Sequence, residues 1–262
     1  MSVIVTGGAG FIGSNLIRGL NARGIVDIWV VDNIGSSHKF KNLIGCEFKQ
    51  YLHKDDFRNL VRENKFNDKV SAIFHQGACS NTMELNGNYM LDNNYQYSIE
   101  LLDFSIRNEI HFIYASSAAV YGAGTQFKED KVNESPLNVY GYSKFIFDEL
   151  VRERLNGAKS QIVGLRYFNV YGPRENHKGQ MASVSYHLFN QMSEGGALKL
   201  FEGSGGYAAG EQRRDFVYVD DVVKVNLEFL DHPERSGIYN CGTGRSQTFN
   251  EVAVATINAV RK

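Results

Sequence analysis

The 262-residue sequence predicts an α/β fold, a doubly wound parallel sheet with a smaller C-terminal lobe. Three observations carry that prediction. Strand-like and helix-like apolar stretches alternate along the first two thirds of the chain. Several strand-like runs, such as 110–115, are almost continuously apolar, as strands covered on both faces by helices must be. A glycine-rich turn joins the first strand to the first helix, where doubly wound sheets open a ligand crevice.

In order, SVIVT (2–6) reads as the first strand and is followed by a helix pattern to about Arg23. DIWVVD (27–32), AIFHQG (72–77) and HFIYASS (111–117) read as further strands, and VYGYSKFIFDEL (139–150) as a helix. After Gly172 the texture changes. The loops PRENHKGQ and EGSGGYAAGEQRR lengthen, and the strand-like pieces shorten to LKLF (198–201), DFVYV (215–219) and GIYN (237–240). Residues 1–172 are therefore assigned to a dinucleotide-binding domain and 173–262 to a substrate lobe, some of whose segments can rejoin the sheet. With no Pro- or Ser-rich linker between them, the two share an interface. The final FNEVAVATINAVRK is an amphipathic helix pattern without a glycine cap or a following strand, and it reads as cut rather than finished.

Composition narrows the partners. Lys and Arg number 28 against 29 Asp and Glu, so a net charge of -1 offers no global field for nucleic acid or an anionic membrane. Cys46, Cys79 and Cys241 are too scattered for a zinc site or a disulfide framework, which points to no metal and to a reducing, cytoplasmic setting. Neither a signal peptide nor an apolar run of about 18 residues is legible.

The chemistry concentrates in two places. VTGGAGFIGSN sets Gly7, Gly10 and Gly13 three apart between strand and helix, a Rossmann-like arrangement for a tight turn, close approach to a pyrophosphate and close helix packing. Asp32 ends the second strand, where a carboxylate accepts from an adenosine ribose and favours NAD. Lys39 and Lys54 lie close enough in sequence to offset its charge, so the residues alone leave NAD or NADP open. In YGYSK, Tyr140 and Lys144 are four apart and share a helix face. A nearby ammonium favours the phenolate and makes the tyrosine a usable acid/base. Ser116 and Ser117 end the preceding strand, so Ser, Tyr and Lys converge on the nicotinamide end of the cofactor.

Together, the glycine motif, the Ser116 strand, YGYSK, RYFNVYGPR (166–174) and RRDFVYVDD (213–221) resemble the extended short-chain dehydrogenase/reductase superfamily in its nucleotide-sugar branch. Within it, DNNYQYS (92–98), LNVYGYSK (137–144), RYFNVYGPRENHKG and MASV (181–184) are similar to the ADP-heptose 6-epimerase family of lipopolysaccharide core assembly. That resemblance implies an isomerase with tightly held NADP, which inverts the exocyclic carbinol centre of ADP-heptose by transient oxidation and re-reduction. It implies that Phe11, Ile12, Asp32, Asn33, Lys39, Lys54, Gln76, Gly77, Ala78, Cys79, Ser80, Asn93, Lys144, Val170 and Lys178 touch cofactor. Ser116, Asn169, Gln180, His187, Phe201, Glu202, Gly203, Ser204 and Arg214 would hold the nucleotide sugar, with Ser116 on the sugar oxygen and Arg214 on the diphosphate. Lys178 would be a second acid/base. A carbonyl that turns between oxidation and return presents its oxygen to two places, and one tyrosine reaches only one of them. The resemblance also implies a homo-pentamer and a further C-terminal part that helps close the substrate pocket. Gln76 and Gln180 depart from the family's residues at those positions, and the 205–213 loop is longer.

Three other functions compete. Dehydratases of this branch carry an Asp-Glu pair after the serine strand, to protonate a leaving hydroxyl. Here Ala118 and Ala119 stand there, and forgoing acid catalysis costs roughly 10²–10⁴-fold. Regulators that keep the fold without chemistry lose the Tyr or the Lys, and both are present. A UDP-sugar 4-epimerase is the nearest enzymatic alternative, with PRENHKGQMAS as the discriminating segment.

Overall fold

The computed structural model describes residues 2–35, 37–66, 69–195 and 197–261. Its strands are β1 (Val3–Thr6), β2 (Ile28–Asp32), β3 (Gln50–His53), β4 (Ala72–His75), β5 (His111–Ser117), β6 (Ile162–Tyr167), β7 (Asn169–Tyr171), β8 (Arg213–Tyr218), β9 (Gly237–Cys241) and β10 (Ser246–Thr248). The helices are α1 (Phe11–Ala22), α2 (Lys54–Arg62), α3 (Gly87–Leu91), α4 (Tyr97–Arg107), α5 (Val139–Leu155), α6 (Val184–Ser193), α7 (Val219–Asp231) and α8 (Phe249–Val260). A π turn, Asp92–Gln96, links α3 to α4.

Seven strands form a parallel sheet in the order β3-β2-β1-β4-β5-β6-β9. Successive side chains point to opposite faces, so each apolar strand feeds two cores. Val3 and Val5 of β1 join Leu16, Leu20, Val223 and Leu227 under α1 and α7, while Ile4 between them joins Phe57, Leu101 and Phe147 under α2, α4 and α5. This is why the strands read as apolar throughout rather than alternating. α1 and α7 approach closely enough that a Cβ at Gly19 would lie 2.5 Å from Val223.

A smaller sheet, β10-β8-β7, and the packed pair α6 and α8 form the second lobe. The sequence reading needs two corrections here. GIYN, read as part of that lobe, is β9 and extends the large sheet beside β6. LKLF (198–201) is not a strand: β7 and β10 occupy both edges of β8, and the Lys199 amide donates to Gln191 Oε1 at 2.7 Å. Between these pieces the chain crosses back and forth at residue level. β8 lies in the small sheet, and α7, which follows at once, packs on α1 of the large one. Helix α8 begins with a capping box, Thr248 and Glu251 each bonding the other's backbone.

Phe112 is fully buried at the centre of the second core, 5.9 Å from the His75 ring, 5.8 Å from Tyr114 and 6.5 Å from Phe147. Phe112→Ala is expected to cost about 3–5 kcal/mol in urea unfolding, against less than about 0.5 for Val132→Ala on the exposed 131–137 loop. Equal losses would remove the central role given to this aromatic stack.

Candidate active site

The large sheet reverses its winding between β1 and β4, and a crevice opens at their carboxyl ends. Gly7 leaves β1 with φ +65, and a Cβ there would lie 2.7 Å from the Gly77 backbone, so only glycine permits the approach. A Cβ at Gly13 would strike the Gly7 carbonyl. The turn closes through Gly7 N to Val31 O at 2.7 Å and Gly10 N to Gly7 O at 2.9 Å. α1 starts at Gly10 with no side-chain cap and no acidic residue in its first turn, so its amides and dipole remain for an anion. Asp32, buried beside this turn, accepts from Ala9 N at 2.8 Å and Asn33 N at 2.6 Å. A dinucleotide fits these features: a glycine cradle, an uncapped helix start and a ribose-directed carboxylate.

Lys39 Nζ donates to Asp32 Oδ1 at 2.6 Å, whereas Lys54 Nζ donates to Asn93 Oδ1 at 2.5 Å. Both line a cleft of about 970 Å³, with Gly7, Gly10, Phe11, Ile12, Gly13, Asn33, Gln76, Gly77, Ala78, Cys79, Ser80, Asn93 and Val170. The cleft continues past the serine strand to Tyr140 and Lys144 on α5. Lys144 is buried and donates to Ala115 O at 2.7 Å. Burial pushes its ammonium down to about 8, and the Asp148 carboxylate pulls the other way. Burial likewise raises the Tyr140 phenol, and a hydrogen bond with Ser117 lowers it again.

That last contact revises the serine assignment. The alternation of β5 turns Ser116 to the same face as Tyr114, where its Oγ donates to Asp148 at 2.9 Å under α5. Ser116 and Ser117 both line the cleft, but the Ser116 hydroxyl is committed to Asp148 and Ser117 is the serine bonded to the phenol. Ser117 Oγ also accepts from Ala119 N at 3.1 Å. No periodicity argument separates two adjacent serines at a strand end. The AAV turn that follows, capped by Ser117, is the signal that could have done so.

Lys178 reaches the cleft from the segment after β7. Arg174, with φ +77, turns that segment back, and Gly179, with φ 54, turns it again. The Lys178 ammonium sits 5.4 Å above the Phe11 ring, and burial lowers its pKa against the pull of Glu175. His177 beside it bonds Asn42 at 3.1 Å. Burial and the neighbouring Lys39 and Lys178 charges keep its ring below the ordinary imidazole value.

The expected sugar-binding residues are dispersed. Asn169 and Phe201 line the cleft. Arg214 lies at the rim, its guanidinium 6.0 Å over Phe249, a cleft residue. Gln180, Glu202, Gly203 and Ser204 are exposed and lie outside the lining, and His187 is half-buried on α6 against Tyr186. Phe216 and Phe249 complete an aromatic wall with Phe201, which the sequence reading missed because they come from β8 and α8.

The serine assignment is testable in a cofactor-bound turnover assay. Ser117→Ala is expected to lower kcat by tenfold or more, on the order of the 1.5–3 kcal/mol of a hydrogen bond to a charged group. Ser116→Ala acts first on thermal stability, through the loss of a buried hydrogen bond. The reverse order of effects on kcat would return the role to Ser116.

Residues 3–242 match the family model described as "NAD dependent epimerase/dehydratase family". The chain is 59% identical over 258 residues to an ADP-L-glycero-D-manno-heptose-6-epimerase of Thiobacillus denitrificans, covering 98% of this chain and 78% of that protein. In three dimensions it is similar to the ADP-L-glycero-D-manno-heptose-6-epimerase of Helicobacter pylori, with a TM-score of 0.85 at 38% identity, covering 98% of this chain and 81% of that one. It is also similar to a UDP-glucose 4-epimerase of Thermus thermophilus in complex with NAD, at a TM-score of 0.81 and 28% identity, covering 100% of this chain and 84% of that one. With a glycine cradle, a Tyr–Lys pair and a match over nearly its whole length, the chain belongs to the NAD dependent epimerase/dehydratase family.

Proposed function

We propose that this chain is an isomerase that inverts the exocyclic carbinol centre of ADP-D-glycero-D-manno-heptose to the L-glycero form, with bound NADP. The observation that carries the reading is that two acid/base side chains, Tyr140 from α5 and Lys178 from the segment after β7, line one cleft. The relative at 59% identity bears the name of that activity. The nicotinamide supplies the chemistry of accepting one hydride from the carbinol carbon and returning it to the opposite face. The chain's part is to move one proton each way. One side chain takes the hydroxyl proton as the carbonyl forms, and once the carbonyl has turned the other gives a proton back to its oxygen. Lys178 can act as a base because burial lowers its pKa; burial raises the Tyr140 phenol, and its hydrogen bond with Ser117 works against that rise, with Lys144 one helical turn away on α5. The cofactor halves of the cleft belong to residues 1–172, while 173–262 supplies the wall that faces the sugar nucleotide.

The Asp32–Lys39 pair at 2.6 Å supports NADP over NAD, because it neutralises the carboxylate that would otherwise repel a 2′-phosphate. Lys54, held by Asn93, adds positive charge on the same cleft wall. The reading places the enzyme in the cytoplasm as a homo-oligomer. Among the described residues, no helix is long and apolar enough to cross a membrane.

Adding each ADP-heptose stereoisomer to the cofactor-loaded protein is expected to reduce the bound cofactor in a single turnover, while UDP-glucose leaves it oxidised. Tyr140→Phe and Lys178→Met should each slow one stereoisomer more than the other, by about 10²-fold or more for the worse. Undiminished reduction by both isomers in the Lys178→Met protein would sink the two-base mechanism, and reduction by UDP-glucose alone would sink the substrate. For the cofactor, Lys39→Ala is expected to weaken NADP by about tenfold more than NAD, about 1.4 kcal/mol in a titration. Equal losses would overturn the preference.

A further inference from the structure

Helix α5 carries Tyr140, Lys144 and Asp148 at successive four-residue steps, so they share one face. The first two line the cleft, and Asp148 is fully buried against the sheet below them. Its carboxylate accepts from Tyr114 Oη at 2.8 Å, Ser116 Oγ at 2.9 Å and Arg166 Nε at 2.9 Å, which ties α5 to both β5 and β6. Arg166, fully buried, also donates to Glu134 at 2.6 Å and to Tyr121 Oη at 3.0 Å, and Arg152 closes the cluster on Glu134 at 2.5 Å. A buried ion cluster contributes little to stability that well-packed apolar side chains would not. This one lies directly behind the catalytic face.

We propose that Asp148 is a positioning residue for the Tyr140–Lys144 pair: it clamps α5 onto β5 and β6 and sets a negative charge one helical turn from Lys144 that holds the lysine as an ammonium. The proposal rests on the reading of Tyr140 and Lys144 as the reacting pair. Among the described residues, the groups placed around Lys144 come from three elements and a loop. Ala115 supplies a carbonyl, β4 supplies His75, the following loop supplies the Cys79 thiol, and α5 itself supplies Tyr140 and Asp148. His75 carries no compensating charge: burial, and then Lys144, push it down to about 3, and Thr6 and Ser98 hold both its ring nitrogens. Asp148 is thus the acidic side chain among these groups. Burial raises its own pKa, while Arg166, Tyr114 and Ser116 draw the proton off again. The cluster's polar bonds therefore serve the lysine by keeping the carboxylate ionised. Once the ammonium is lost, Tyr140 loses the cation that favours its phenolate, so turnover falls as pH rises through the Lys144 titration.

The test is Asp148→Asn in the cofactor-saturated protein, with two readouts. The first is the titration midpoint of Lys144, followed by the side-chain resonances of isotope-labelled lysine and assigned with Lys144→Arg. The second is the alkaline limb of kcat for ADP-heptose. In Asp148→Asn both are expected to move to lower pH by about one unit, a tenfold change in the protonation equilibrium. Asp148→Glu is expected to bring both back toward the parent. A folded Asp148→Asn protein whose midpoint and limb stay in place, with turnover lowered equally at every pH, would overturn the proposal and leave Asp148 a structural group only. A shifted midpoint in a protein that does not turn over ADP-heptose supports the proposal and locates the failure in the substrate reading. Should Asp148→Asn not fold, Asp148→Asn/Arg166→Gln removes both members of the pair and leaves no lone buried charge between them. A Lys144 midpoint no lower in that double variant than in Arg166→Gln alone would overturn the proposal equally.

Discussion

The close approach of two backbones, Gly7 after β1 and Gly77 after β4, is the constraint on which the site depends. Parallel neighbours put the carboxyl ends of β1 and β4 side by side, and the chain then departs from them toward opposite halves of the sheet. Room for a ligand exists only because neither turn carries a side chain at the crossing. The consequence spreads outward. With Gly13 packed on the Gly7 carbonyl, α1 starts flush against the turn, its amides face the cleft, and Ala9 N falls within 2.8 Å of Asp32. Asp32 is thereby fixed by the same turn that fixes the phosphate site, and Lys39 is fixed by Asp32.

The polar groups of the site are held by a division between two faces. On the cleft face stand Ser117 and the buried pair Tyr140 and Lys144, the phenol raised and the ammonium lowered by burial. Beneath that face, Asp148 of α5, Tyr114 and Ser116 of β5 and Arg166 of β6 are buried, each bonded to another. Satisfying every member matters more than the number of bonds, since an unpaired buried polar group costs about 1–3 kcal/mol and more if charged. The arrangement ties α5 to β5 and β6 through side chains that are satisfied among themselves.

How much of this was legible in the sequence follows from how local each cause is. The glycine turn and Asp32 could be read because each residue answers a mechanical demand set by its immediate neighbours. Tyr140 and Lys144 could be read because helical spacing alone brings them together. Ser116 was chosen over Ser117 because a strand end does not reveal which face meets the cleft, and that choice depends on α5, twenty residues and more downstream. LKLF carries the composition of a strand, but both edges of β8 were already taken by segments from either side of it in the chain. Asp148 was passed over inside FIFDEL because its partners, Tyr114, Ser116 and Arg166, come from two other elements. Non-local pairing, not propensity, decides all three.

The second lobe shows how a loop without regular structure can still place a side chain. Asn15 donates to Pro173 O at 2.9 Å, Asn42 donates to Arg174 O at 3.0 Å, and Arg174 returns a bond to Asn42 O. These ties run from the crossing of β7 straight to α1 and the turn beside Asp32. Farther on, the buried Glu175 carboxylate accepts from Gly172 N at 3.1 Å, Ser183 N at 2.5 Å and Ser183 Oγ at 2.8 Å, which closes residues 172–183 into one loop. Hydrogen bonds to a charged group contribute about 1.5–3 kcal/mol each, enough to offset the left-handed backbone at Arg174. The loop's conformation is therefore set from both ends by side chain to backbone bonds, and Lys178, at its centre, has a defined place above Phe11. A lysine carried on so short a loop acquires its position from Glu175, Asn15 and Asn42, none of which itself lines the cleft.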